Sequence, residues 1–138
     1  MFDSGYLSRG LSLVESLRDV GEDADIWILC LDETARLYLE RLAVPGVIPI
    51  DLALLERATP GLADTRENRS RAEYIFTCTP ALVSYVLASE PGNEWVVYLD
   101  ADMRFFSTPD QAFSAVGDRS VGIDRKSTRL NSSHANIS

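Results

Sequence analysis

The run Ile26-Trp-Ile-Leu-Cys-Leu31 contains no polar residue and no alternation. A strand with one wet face alternates apolar with polar side chains. An unbroken run of this length instead suits a central parallel strand covered on both faces. Parallel strands need long crossovers, and the flanking sequence supplies helical ones. Leu7, Leu11, Val14 and Leu17 recur at helical spacing with Leu13 beside them, and Gly21 follows as a C-cap, which predicts a helix over about 6–20. Asp32 is placed to N-cap a second helix over about 33–43, with Leu37, Leu39 and Leu42 as its apolar face. Pro45-Gly46 breaks that helix, and Val47–Ile50 reads as another short strand. After a short helix and polar loop over 51–68, helix returns from about Arg69 to Ser89. Thr79-Pro80 is expected to divide that stretch into two pieces, with Thr79 as N-cap and Pro80 at N1. A helix near 109–116 ends at Gly117, and a last strand is expected over Ser120–Ile123. Strands alternating with helices imply an α/β fold with right-handed crossovers and a mostly parallel sheet.

A second apolar run, Trp95-Val-Val-Tyr-Leu99, ends on two carboxylates, Asp100 and Asp102. In extended backbone, residues i and i+2 point to the same side, so both carboxylates can face one ion. Hard cations such as Mg²⁺ and Mn²⁺ take oxygen ligands and leave positions open for phosphate oxygens. The spacing has a control within the chain, since Asp23-Ala24-Asp25 is the same tripeptide. That copy precedes a strand, whereas Asp100–Asp102 follows one. Open α/β sheets bind ligands outside the carboxyl ends of their strands. Asp100 and Asp102 are therefore the candidate metal ligands, and Asp23 and Asp25 read as a solvated turn.

Charge and residue inventory narrow the chemistry. A net charge of −8 argues against nucleic acid, whose phosphates are bound by clustered Lys and Arg. No apolar run approaches the ~18 residues needed to span a bilayer, and Met1–Gly5 lacks the basic and apolar parts of a signal peptide. Two cysteines, Cys30 and Cys78, show no framework spacing and read as reduced core thiols, with a cytoplasmic location expected. From Asp124 the character changes. Residues 124–138 hold the only Lys (Lys126) and the only His (His134), are rich in Ser, and have no apolar periodicity. This segment resembles a translated sequencing-adapter artefact and is expected to be a non-native, disordered tail behind a domain of residues 1–123. Those 123 residues carry ten Arg, twenty acids, no Lys and no His. A Ser-His-Asp triad, a Schiff-base Lys and a P-loop are thereby excluded from them.

Three segments carry a resemblance to a known family. They are Phe2-Asp-Ser-Gly-Tyr-Leu-Ser-Arg-Gly-Leu11 with Ser16-Leu17, Arg71-Ala-Glu-Tyr-Ile-Phe-Thr-Cys-Thr-Pro80, and Val96-Val-Tyr-Leu-Asp-Ala-Asp102 with Phe105–Pro109. In this order they resemble the GT-A glycosyltransferases, specifically the glycogenin and lipopolysaccharide galactosyltransferase-like group. The resemblance implies a Rossmann-like nucleotide-sugar-binding half. Asp3 and Tyr6 would lie at the base, with the Tyr ring stacking on it, and Arg71 would meet phosphate or sugar. Asp100, Ala101 and Asp102 would sit at the nucleotide sugar, the two carboxylates holding Mn²⁺ or Mg²⁺ against the diphosphate. The bland alternatives are a core contact for Tyr6, a solvated Asp3, and a surface ion pair for Arg71. The group begins with an apolar strand before the Asp3–Tyr6 loop. It ends with an acceptor-binding half that adds a third metal ligand, usually His. Neither lies within 1–123, so a partial domain truncated at both ends is expected.

The implied activity is transfer of a sugar from a nucleoside-diphosphate sugar, a UDP-sugar being the expected donor, to a glycan, lipid or protein acceptor. Two rivals remain. A haloacid-dehalogenase-like Asp-x-Asp phosphatase would use Asp100 as nucleophile. It would want Thr or Val where Arg104 stands, and a Lys that residues 1–123 lack. A non-catalytic nucleotide-binding fragment is the other.

Overall fold

The computed structural model describes residues 1–92 and 95–117. Its body, Met1–Thr108, is mixed α/β, with a small parallel sheet flanked by helices. A 3-10 turn over Ser4–Tyr6 leads into α1 (Leu7–Asp19), followed by β1 (Ile26–Cys30), α2 (Glu33–Leu42), β2 (Val47–Asp51) and α3 (Leu52–Ala58). A second 3-10 turn, Ala63–Arg66, precedes α4 (Arg71–Ser89). Helix α5 (Asp110–Val116) stands in a separate unit that begins at Pro109. The strand expected over 120–123 and the tail 124–138 lie outside the described residues.

β1 and β2 pair in parallel with Ile26 opposite Val47 and Cys30 opposite Asp51. Side chains alternate across the sheet, so β1 feeds two cores. Leu29 and Ile50 join Leu55, Leu62, Tyr74, Cys78, Leu82 and Val86 of the α3–α4 side. Ile28 and Cys30 join Val14, Ala35, Leu39 and Phe2 of the α1–α2 side. An apolar residue is wanted at every position of such a strand, which is why the run does not alternate.

Local signals set the helix ends. Gly21 takes φ 89, and the Gly21 and Glu22 N–H groups donate to Arg18 and Leu17 C=O (3.0 and 2.9 Å). That Schellman closure turns the chain into β1. Asp32 Oδ1 accepts from the Ala35 N–H at 2.8 Å and caps α2 as expected. The apolar face of α2 is narrower than expected: Ala35 and Leu39 are buried, but Leu37 (50% exposed) and Leu42 (45%) face solvent.

α4 differs from the expectation in a second way. It is one helix from Arg71 to Ser89 with Pro80 inside it, started by a capping box in which Ser70 and Glu73 exchange bonds. Pro80 removes one backbone donor, but it lies on the exposed face. Tyr74, Cys78, Leu82 and Val86, four residues apart, form one buried stripe through the proline. Packing along that stripe outweighs the local break.

Residues 95–99 are the main correction. They pair with neither β1 nor β2, although the apolar run predicted a buried strand. A strand requires a neighbour's backbone as well as apolar side chains. The outer edge of β1 bonds instead to the first residues of the chain. The Phe2 N–H donates to Leu29 C=O (3.1 Å), and the Leu31 N–H donates to Phe2 C=O (3.0 Å). Val96 still packs on the α3–α4 core, while Trp95 and Val97 are about half exposed. Close approach of Phe2 to α1 depends on Gly10, where a Cβ would stand 2.2 Å from the Phe2 ring.

Candidate functional site

Parallel strands deliver their next residues to one edge, and here that edge gathers charged side chains. Asp32 follows β1, and Asp51 ends β2. Asp32 Oδ2 accepts from both the backbone N–H (2.9 Å) and the hydroxyl (2.8 Å) of Ser4. This latch ties the Asp3–Tyr6 loop to the end of β1. These bonds, that from the Ser4 N–H first, hold the Asp32 carboxyl below its ordinary range.

Asp3 caps the first 3-10 turn, accepting from the Gly5 N–H at 3.1 Å. Its other oxygen accepts from Arg71 Nη2 at 2.8 Å, across 68 residues of chain. Asp3 and Arg71, drawn from two of the three family-like segments, are thus brought together. Arg71 opens α4, and its pair with Asp3 lies at the surface with the arginine side chain 74% exposed. Tyr6 is 47% exposed, and the Arg9 guanidinium lies 4.8 Å from its ring centroid. It is no core residue.

Asp100 and Asp102 sit in a turn, not at the end of a ladder strand. The Met103 N–H donates to the Asp100 C=O at 3.2 Å, placing Ala101 and Asp102 at the turn's centre. Their relative direction is therefore set by the turn and not by strand alternation. Both carboxylate residues are exposed, while Ala101 packs on the α1–α2 core, which includes Phe2. Asp100 acts on two neighbours. It offsets the lowering that burial imposes on the Met1 amine. It also adds to the raising effect of burial on the Tyr98 phenol, which Thr79 of α4 opposes. The turn thus adjoins the first residues of the chain and the middle of α4. Its donors are oxygens only, which suits a hard divalent cation. Among the described residues no group of three or more His, Cys, Asp or Glu could hold a metal, so a cation here would complete its shell with ligand or water oxygens. Asp23 and Asp25 lie at the opposite edge, just before β1, beside Arg18. Arg18 binds the carbonyls of Glu22, Ala24 and Pro45 there (2.5, 3.0 and 3.1 Å).

Several site-edge residues were not singled out from the sequence. A cleft of about 370 Å³ opens at the ends of β1 and β2, lined by Asp32, Arg36, Asp51, Glu56 and Arg66 among others. Its cations are already paired, Arg36 with Glu40 (2.7 Å) and Arg66 with Glu56 (2.7 Å). Only the strand-end position of Asp32 and Asp51 could have pointed to it. Cys30 and Cys78 are free and buried. Burial pushes the Cys30 thiol up to about 11 and raises Cys78 as well, so neither is a thiolate near neutral pH. No described helix is long and apolar enough to cross a membrane.

No family model matches the chain, and no solved structure matches it. The chain is similar to the uncharacterized protein YfnF of Bacillus subtilis (strain 168), 33% identical over 125 residues. It is also similar to the uncharacterized protein YfnD of the same organism, 28% identical over 109 residues. The alignments take in 91% and 79% of this chain but only 41% of YfnF and 34% of YfnD, so the chain spans about two-fifths or less of these curated relatives.

Proposed function

We propose that this chain is the nucleotide-sugar-binding part of a metal-dependent glycosyltransferase of GT-A type. One observation carries the reading: the Asp3–Arg71 pair and Tyr6 stand beside the end of β1, and the Asp100–Asp102 turn packs through Ala101 on the core that also holds Phe2. In a net-acidic protein, a diphosphate needs a cation between itself and the carboxylates. Asp100 and Asp102 would hold Mn²⁺ or Mg²⁺. A cation bound there supplies Lewis-acid stabilisation of the charge that builds on the departing nucleoside diphosphate. Tyr6 offers the ring face opposite Arg9 to a base. Arg71, ordered by Asp3 and largely exposed, keeps donors free for phosphate or a sugar hydroxyl. UDP-sugar is the proposed donor, and a glycan, lipid or protein the proposed acceptor.

Titration calorimetry of this chain with UDP and GDP, with and without Mn²⁺, tests the reading. Nucleotide binding that requires Mn²⁺ and vanishes with chelator is expected. Hydrolysis of a phosphomonoester through a phosphorylated Asp100 would establish the phosphatase instead. Nucleotide binding by YfnF without sugar transfer from any UDP-sugar would favour the non-catalytic module.

A further inference from the structure

Among the described residues, Ser16 is the single polar side chain in the buried set, at 1% exposure. A buried hydroxyl without partners is costly, and Ser16 uses both its donor and an acceptor position. It donates to the Leu13 carbonyl at 2.8 Å and accepts from the Phe105 N–H at 3.0 Å. Phe105 is three residues past Asp102. One helical turn earlier on α1, the Ser12 hydroxyl accepts from Arg104 Nη1 at 3.0 Å. Ser12 and Ser16 are four apart and so lie on one face of α1. Among the described residues no other hydrogen bond ties 101–106 to the rest of the fold; the remaining one, Met103 to Asp100, closes the turn on itself. The carboxylate turn therefore hangs between an apolar contact at Ala101 and a buried serine at Phe105.

We propose that Ser16 is a positioning residue for the Asp100–Asp102 pair: by fixing the Phe105 amide, it sets where the two carboxylates stand relative to a divalent cation. The inference rests on the reading of that pair as a metal–diphosphate site. Ser12 plays the same part more weakly, because it is half-buried and its partner is a flexible arginine.

The full 138-residue chain is tested as wild type, Ser16→Ala, Ser12→Ala and Leu55→Ala. Leu55 is buried in the α3–α4 core, not the core on which Ala101 packs, so its variant reports loss of packing away from both supports of the turn. Free Mn²⁺ is followed by electron paramagnetic resonance in the presence of UDP, and exchange of the Phe105 amide by NMR. Ser16→Ala is expected to weaken Mn²⁺ binding roughly tenfold, as loss of a buried hydrogen bond would. Phe105 exchange should quicken in the same variant. Ser12→Ala is expected to weaken binding about twofold, and Leu55→Ala to lower stability with Mn²⁺ affinity unchanged. Ser16→Cys, nearly isosteric and a poorer acceptor, gives the same reading if the alanine variant does not fold. Wild-type Mn²⁺ affinity in Ser16→Ala, or an equal loss in Leu55→Ala, overturns the positioning role while leaving the metal reading intact. Absence of Mn²⁺ binding in the wild type overturns both, and the wild-type titration alone identifies that case.

Discussion

Asp32 accepts three hydrogen bonds, one from Ala35 in α2 and two from Ser4 in the opposing loop. Its carboxyl is held below the ordinary range by these bonds, so the sign of the pH effect follows. The stabilisation is complete above the unfolded carboxylate pKa of about 3.9 and is lost as pH falls through the lower folded value. The urea midpoint of the wild type should therefore fall more steeply between about pH 5 and pH 2 than that of Asp32→Ala. Parallel curves would show that the latch contributes nothing. A second contrast at this scale sets two identical tripeptides against each other. Asp100→Asn and Asp102→Asn should each weaken Mn²⁺-dependent UDP binding by roughly tenfold or more. Asp23→Asn and Asp25→Asn, on the far edge beside Arg18, should leave it unchanged. Equal effects from both pairs would remove the positional argument.

Elements were legible where side-chain pattern and backbone partner coincide. α1, β1, α2 and β2 fall within a residue or two of expectation, because the helices have periodic apolar faces, the strands have apolar runs, and capping or breaking residues mark their ends. The run 95–99 has the side chains of a strand but no ladder partner, and no feature within the run encodes that. The Asp3–Arg71 pair needed the fold as well, since 68 residues separate its members. Ser16 lay within a segment singled out for its resemblance, yet its buried bond to Phe105 had no signal beyond a serine on an apolar face. In α4 Thr79-Pro80 is a strong local break signal, and only the stripe Tyr74, Cys78, Leu82 and Val86, whose burial needs the fold, outweighs it. If packing carries the helix past Pro80, then Pro80→Ala should restore the missing bond at no cost to the buried face. A gain of roughly 1–3 kcal/mol is expected from the urea midpoint. A loss would mean that the proline shapes a bend that the packing requires.

For the molecule as a whole, charge decides what reaches the site and in which order. At −8 the chain repels a nucleoside diphosphate and attracts a divalent cation. Much of that field comes from carboxylates far from the turn, including Asp23 and Asp25 at the other edge of β1. Raising ionic strength from about 0.01 M to 0.15 M shortens the screening length from roughly 30 Å to 8 Å. Distant charges then drop out, and direct oxygen–metal contacts at Asp100 and Asp102 stay. Mn²⁺ titrated alone should therefore bind more weakly at the higher salt. UDP without metal should bind no more weakly, because its interaction with the distant charge is repulsive. In Asp102→Asn, Mn²⁺ affinity should be lower at both salts with much of the salt dependence retained, since removing one carboxylate leaves most of the field in place. UDP affinity that falls steeply with salt in the absence of metal would instead show a cationic site dominating the chain's own charge. That outcome would shift the phosphate contact from the carboxylate turn to arginines such as Arg71.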